Sequence, residues 1–552
     1  MRTPRPRSAG LIGNDTGMRS ERGLTVGDSG GLPPAAERAA PSEGEPAGNG
    51  WPRGVPTLLG AIGAIGMSLI ALSSVTLGPH GPTGSAIERD VVAVIPANAA
   101  MPVGITAMTL GLALVLGAWL VLGLLLRRGA SVRSLLRIAA VWAAPIAVGP
   151  PLFSRDVYSY AAQGLMVTRH IDPYTHGPIA LHSAKFLAPV SKVWLSTPSP
   201  YGPLFLRLAQ YAVVSTGHSL LGAILVLRGY EILGVVLIAV SLPTLARSVG
   251  KDPTRAIWLG VCNPLLLFHF VGGAHNDSLM IGLLVAGLAV ATTKRYAIAV
   301  VLCALAATVK NPAAIGIAFI ALEAVRQAPP ERRLAVFARL TGVTAVTFSL
   351  ISLVTGIGFG WIGALGVPGK NRSYLTPTTS IAHFLSAVVG HDATVLTATR
   401  LLGMLVAVVG VAVFLWRAPR LGTARACGLA LALVVACGPI VLPWYALWGV
   451  VVLAGTGRRV ERGFAIFASV VLAITLEPSG SVMPDIVLMA GVVIISGVAI
   501  SIARRPTRAW IRNRLAPAID EYRVMGRLTG LPDLVRLALA RPPRSLRGVS
   551  AP

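Results

Sequence analysis

Residues 134–160 read SLLRIAAVWAAPIAVGPPLFSRDVYSY. An apolar run closes near Phe153, and Ser154-Arg155-Asp156-Val157-Tyr158-Ser159-Tyr160 opens a polar, aromatic stretch that continues to residue 200. A carboxylate at the mouth of a membrane helix is costly to desolvate, which marks a functional site. The plainer alternative is a helix cap, with Asp156 meeting the free N–H groups of the helix that follows. Asp156 and Tyr160 are one helical turn apart and share a face, which Gln163 extends.

Composition decides what surrounds this stretch. The chain has 552 residues, 54% hydrophobic and 13% charged, with a mean hydropathy of +0.70. A soluble domain cannot hide that much apolar surface, whereas a polytopic bundle can, because lipid is its solvent and helices satisfy their own backbone. The class is therefore an all-α polytopic membrane protein. The net charge of +26 sits mostly in short loops and in the two tails. That is the pattern of cytoplasmic retention and attraction to membrane lipid, and it argues against a nucleic-acid partner. Cys262, Cys303, Cys427 and Cys437 lie in apolar runs without CxxC spacing, so they read as core residues and not as a disulfide framework or metal site.

Residues 1–52, rich in Gly, Pro, Arg, Ser and Glu, read as a disordered tail. No apolar core or cleavage site comes early enough for a signal peptide, since the first apolar run starts near Leu58. Apolar runs follow at 57–77, 101–126, 134–153, 219–245, 254–272, 276–292, 296–309, 312–325, 334–356, 394–416, 424–441, 443–455, 463–476 and 484–503. The set predicts about 14 spans within residues 53–505, ahead of a basic tail over 506–552. Basic clusters at 127–137, 247–255, 294–295, 326–333, 417–425 and 458–462 mark the cytoplasmic side, together with both tails. The loops 78–100, 154–200, 357–393 and 477–483 then face outward. Tyr201 to Gly217, starting at Pro203 and carrying Arg207, reads as a juxtamembrane helix in the outer interface.

Four polar groups converge on that outer side. Asp156, with Tyr158, Tyr160 and Gln163, is the first, and its loop continues through His170-Ile171-Asp172-Pro173-Tyr174. Gly272-Gly273-Ala274-His275-Asn276-Asp277 joins two spans and exceeds what helix capping requires. Lys310-Asn311-Pro312 puts a lysine where the positive-inside rule disfavours one, and Lys370-Asn371-Arg372-Ser373-Tyr374 adds two cations to a loop that should be poor in them. A carboxylate base beside cations suits transfer from a phosphate-activated donor: the base takes a proton from an acceptor hydroxyl and the cations stabilise the departing phosphate. There is no P-loop, no GxGxxG after a strand and no HExxH. A lipid-linked sugar transporter or flippase is the competing class. It expects topological repeats and charges near the midplane, where the candidates are only Arg228 and Glu231, three apart, able to pair and read as structural.

The string from Ser154 to Gly164, with Asp172-Pro173-Tyr174, Tyr201-Gly202-Pro203-Leu204, His275-Asn276-Asp277 and Lys310-Asn311-Pro312, resembles the actinobacterial polyprenol-phosphomannose-dependent α-1,6-mannosyltransferases of the GT-C superfamily. The likeness spans residues 55–505 and leaves out both tails; within the family it favours the MptB type, which starts or extends the proximal mannan, over the distal MptA type. It implies a GT-C fold and inverting mannosyl transfer from polyprenol-phosphate-mannose to a lipid-anchored α-1,6-mannan, the core of lipomannan and lipoarabinomannan, at the outer face of the plasma membrane. It implies Asp156 as catalytic base. Arg155, Tyr158, Tyr160, Gln163, His275, Asn276, Asp277, Lys310, Lys370, Arg372 and Tyr374 are the candidate substrate-binding residues. One donor phosphate can be neutralised by side-chain cations, so neither a cofactor nor a metal is expected.

The topology makes a direct prediction. With the native cysteines replaced, an impermeant thiol reagent on intact cells labels a cysteine at position 373 and leaves one at position 328 unlabelled; the reverse pattern inverts the whole arrangement.

Overall fold

The computed structural model describes residues 54–77, 94–126, 129–370 and 376–475. The predicted tails, the 484–503 run, Arg372 and Tyr374 lie outside the described residues. Among those described the chain is helical, with no strand, and it is a polytopic membrane protein in character. The first apolar runs form α1 (Val55–Leu77), α2 (Ala97–Leu125) and α3 (Val132–Val148). Trp142 of α3 donates through Nε1 to the Leu59 carbonyl of α1 at 3.1 Å, giving a buried indole N–H the partner it needs.

After the α3 turn come α4 (Asp156–Thr168), a loop of short helical turns, and α5 (Pro203–Ser215). At about 1.5 Å per residue α5 is too short to cross a bilayer. Next is the long α6 (Leu220–Ser248). The expected single span at 254–272 is broken into α7 (Pro253–Gly260) and α8 (Pro264–Gly272), bent by 47°. Pro264 cannot donate into the helix and Asn263 caps the new start by accepting from Leu265 N at 3.0 Å, so the break is written locally. Trp119 of α2 and Trp258 of α7 stack at 5.0 Å and exchange indole-to-carbonyl hydrogen bonds of 3.1 and 2.8 Å.

The remaining helices are α9 (Asp277–Ala291), α10 (Tyr296–Val309), α11 (Ala314–Gln327), α12 (Arg333–Val354), α13 (Pro377–Val389), α14 (Asp392–Leu421), α15 (Thr423–Cys437), α16 (Leu447–Thr456) and α17 (Arg459–Ala473). Among the described residues five helices are long and apolar enough to cross a membrane, or six with the bent pair as one span. The apolar windows of the α12 and α14 spans are only 6% buried. Leu334, Phe337, Val346, Leu350 and Leu353 of α12 stand exposed, as do Leu401, Leu402, Met404 and Leu405 of α14. Water would penalise such faces; lipid does not.

Arg228 and Glu231 correct an expectation. Both are buried in α6, 2% and 0% exposed, yet they do not pair with each other. Arg228 donates to three backbone carbonyls, while Glu231 Oε2 accepts from Leu279 N at 3.0 Å. Three apart on one helix permits pairing, but free carbonyls and an unpaired helix-start N–H lie within reach and compete for both groups.

Gly202 sets the seam between α5 and α10. Its N–H donates to the Val309 carbonyl at 3.1 Å, and a Cβ there would sit 2.1 Å from the Thr308 carbonyl oxygen. Gly202→Ala forces two backbones apart. It is expected to cost about 1–3 kcal/mol, read as a lower thermal unfolding midpoint of the purified protein.

Candidate active site

Two irregular segments meet at the site. On the first arm, Pro150 and Pro151 end α3 and Phe153 adopts φ +58°, a strained conformation for a bulky residue, just before the helix that starts at Asp156. Asp156 does not cap that helix with its carboxylate. Its backbone N–H donates to Ser154 Oγ at 3.1 Å. Its Oδ1 accepts from Trp194 Nε1 at 2.9 Å, and its Oδ2 lies 3.5 Å from His275 Nδ1. Trp194 belongs to the short turn Lys192–Leu195, so the loop folds back onto the residue that opens it.

The second arm begins in the last turn of α8, where Leu267–Gly272 is π-wound, a widening frequent at functional sites. Gly273 follows in a space with no room for a Cβ, which would lie 2.9 Å from His275 Cδ2 and 3.0 Å from the Leu152 carbonyl. Ala274 then takes φ +51°, and His275, Asn276 and Asp277 are each 0% exposed. Asp277 is fully engaged. Its Oδ2 is 2.8 Å from Lys310 Nζ, and its Oδ1 accepts from Trp448 Nε1 at 2.5 Å. Lys310 in turn lies over the rings of Tyr445, Trp448 and Tyr201, at 4.5, 5.6 and 5.8 Å from their centroids, an aromatic cage for a desolvated cation. His275 stacks on Trp444 with centroids 3.7 Å apart, and His269 lies 5.6 Å from His275 and 5.2 Å from Trp444.

The two carboxylates therefore have different surroundings. Burial pushes the Asp156 carboxyl up, but His275, then Lys310 and Trp194, outweigh it and hold the group below the ordinary aspartate range.

Asp156, His275, Asp277 and Lys310 thus come together as the sequence pattern expects. Tyr160 stays near, its ring meeting the edges of Tyr201 and Phe205 at 5.1 and 5.0 Å. Asn276 occupies the cap position of α9 but makes no capping bond, and neither of its amide atoms has a hydrogen-bond partner. Gln163 serves the loop instead: it donates to Ser159 Oγ at 3.3 Å and accepts from Ser199 Oγ at 2.9 Å. Tyr158 is buried within electrostatic range of Arg228, and Arg155 is half-buried beside Asp156. Lys370 closes the short helical stretch Gly360–Lys370.

Sequence reasoning passed over Trp194, Tyr201, His269, Trp444, Tyr445 and Trp448 as individual site residues. The signal for three of them is Pro443-Trp444-Tyr445-Ala446-Leu447-Trp448, aromatic and hydrogen-bond-donating at i and i+4 in an otherwise aliphatic run. Among the described residues no group of three His, Cys, Asp or Glu side chains is placed to hold a metal ion.

Residues 60–326 match the family described as α-(1→6)-mannopyranosyltransferase, N-terminal domain, and residues 374–505 match the MptB C-terminal domain. The chain is 31% identical over 448 residues to α-(1→6)-mannopyranosyltransferase A of Mycobacterium tuberculosis, covering 78% of this chain and 86% of that protein. The chain belongs to the α-(1→6)-mannopyranosyltransferase family. It is 33% identical over 389 residues to α-(1→6)-mannopyranosyltransferase B of Corynebacterium glutamicum, covering 64% of each chain. A probable α-(1→6)-mannopyranosyltransferase of Mycolicibacterium smegmatis is 32% identical over 416 residues, 67% of this chain and 74% of that one. No solved structure matches the chain. As an MptB-like member of this family the protein is a mannosyltransferase. The candidate site draws on both matched regions, with Asp156, Asp277 and Lys310 from the first and Trp444, Tyr445 and Trp448 from the second.

The asymmetry of the carboxylates predicts a pH profile. A carboxyl held below its ordinary value of about 3.9 stays ionised as pH falls to that value, so if turnover needs the Asp156 carboxylate the acid limb of kcat/KM is expected below it. His275→Phe removes the largest lowering influence, and the limb is expected to move to higher pH in the pH–rate profile.

Proposed function

We propose that this mannosyltransferase moves mannose, with inversion, from a polyprenol-phosphate-mannose to a growing lipid-linked α-1,6-mannan of the lipomannan and lipoarabinomannan core. The reaction takes place at the outer face of the plasma membrane, within a GT-C architecture of about 14 spans over residues 53–505, with both tails cytoplasmic. The observation that supports this reading best is the buried Asp156, held toward its ionised form next to a second, charge-compensated carboxylate and its lysine. Asp156 takes the proton of the acceptor hydroxyl as that oxygen attacks the anomeric carbon of the β-linked donor. The new glycosidic bond forms on the opposite face, the bond from the anomeric carbon to the phosphate oxygen breaks, and polyprenyl phosphate leaves with the electron pair.

Lys310, Lys370 and Arg372 meet the phosphate. Asp277 occupies one N–H of the Lys310 ammonium, which has three donors, so the pair fixes the lysine while leaving it donors for an anion. Arg155, Tyr160, His275, Asn276 and Tyr374 are assigned to sugar contact. Asn276, buried and with both amide atoms unpartnered, has the chemistry to exchange hydrogen bonds with sugar hydroxyls. Tyr158, Gln163 and Asp277 support the site from behind.

Membranes carrying the protein, labelled polyprenol-phosphomannose and short α-1,6-mannosides test the reading directly; transfer that instead requires a nucleotide sugar ends it. Asp156→Asn preserves size and removes proton acceptance. Its transfer rate is expected to drop by roughly 10²–10⁴-fold at unchanged expression.

A further inference from the structure

Two charged side chains are buried in α6 without a mechanistic assignment. Arg228 Nη1 donates to the carbonyls of Ala147 and Gly149, both at 2.7 Å, and Nη2 donates to the Gly272 carbonyl at 3.1 Å. The first two carbonyls end α3, at the start of the turn that delivers Asp156; the third ends the π-wound turn that delivers His275. The Gly272 carbonyl also accepts from Leu152 N at 3.2 Å, so one oxygen joins both arms of the site.

One turn further along α6, Glu231 holds the second arm again. Its Oε2 accepts from Leu279 N at 3.0 Å and its backbone carbonyl accepts from Ser278 Oγ at 2.7 Å, which anchors the first turn of α9 beside Asp277. Below it the helices touch backbone to backbone. A Cβ on Gly234 would lie 2.4 Å from the Ser278 carbonyl carbon, and one on Gly282 would lie 2.5 Å from the Gly234 carbonyl oxygen. Residues 228, 231 and 234 recur every three positions, so one side of α6 meets both arms, through the carbonyls that end α3 and α8 and through the first turns of α9.

We propose that Arg228 and Glu231 are positioning residues, which set the separation between Asp156 and the His275–Asp277 arm. The proposal rests on the reading of Asp156 as base. An ionisable group inside an apolar helix is expensive, and structural packing alone is served by aliphatic residues. Arginine fits the task because its planar fork spans two carbonyls at once and caps the C-terminal end of α3, where a cation is favoured. A lysine ammonium is a point charge on a shorter reach and cannot bridge the same three oxygens.

The test uses the full chain in lipid nanodiscs, with transfer kinetics and hydrogen–deuterium exchange measured side by side. Arg228→Lys is expected to fold, to lose roughly 10²-fold in kcat through misplacement of the base, and to keep the KM of the acceptor. Exchange is expected to rise in segments 149–156 and 272–279 together, while 423–437 stays unchanged. Glu231→Gln retains an oxygen for Leu279 N and is expected to transfer like wild type, whereas Glu231→Leu loosens 272–279 and loses turnover. Should Arg228→Lys fail to assemble, Ser278→Ala removes the hydroxyl bonded to the Glu231 carbonyl and is expected to raise exchange in 272–279 and lower turnover; wild-type exchange and turnover there overturn the proposal. Wild-type turnover in Arg228→Lys, or exchange that rises equally in 423–437, overturns the proposal. The two readings separate in Asp156→Asn: full activity there refutes the base while leaving the exchange result of Arg228→Lys to judge the clamp.

Discussion

Asp277 lies out of contact with solvent, and an ionised carboxylate in such a place is tolerable only with a cation and further donors beside it. Lys310 supplies the cation and Trp448 the second donor. That requirement draws together the start of α9, the junction of α10 with α11, and α16, although Trp448 is 171 positions from Asp277 in the chain. The lysine has the same need in reverse, and the ring faces of Tyr201, Tyr445 and Trp448 answer it with their negative potential. Much of the aromatic content of the site follows from these two charges.

Asp156 contrasts with Asp277. It has an indole donor and an imidazole at longer range and, among the described residues, no ammonium in direct contact. Asp277 has a close donor on each oxygen, one of them a cation, while Asp156 has one close donor and a longer contact, and environments that separate two such groups are how one site assigns them different tasks. In the proposed reaction Asp156 is the base and Asp277 holds a cation in place. Local backbone strain accompanies this division: positive φ at Phe153 and Ala274 and a π-wound turn before Gly273 all fall within a few residues of the two carboxylates. Such conformations persist only where packing over-determines them, and the Arg228 bonds to Gly149 and Gly272 supply part of that packing.

The periphery follows a different rule. The apolar windows of α12 and α14 bury almost none of their surface against the rest of the chain, while α1 and α2 bury half. Backbone hydrogen bonds inside each helix, not side-chain packing, make such exposure acceptable in lipid.

Helical class, membrane character and the polar segments around Asp156, His275–Asp277 and Lys310 were legible from the sequence, because hydrophobic runs and the polar breaks between them are local signals. Fourteen apolar runs were legible too, but run length does not show where a helix bends; the signal for the break at 254–272 was the cap and proline of Asn263-Pro264, and only its angle, 47°, came from the structure. Partner choice was not legible. Arg228 and Glu231 stand at pairing distance along one helix, yet the carbonyls ending α3 and α8 and the N–H of Leu279 reach them first. Trp194 is an ordinary aromatic residue in sequence, and Trp444 and Trp448 show only their spacing; which group each one meets is decided where remote segments come together. The residues by themselves determined which groups cannot be left in lipid unpaired; the tertiary structure alone decided which partner each one found, because pairing depends on distance through space between positions far apart in the chain.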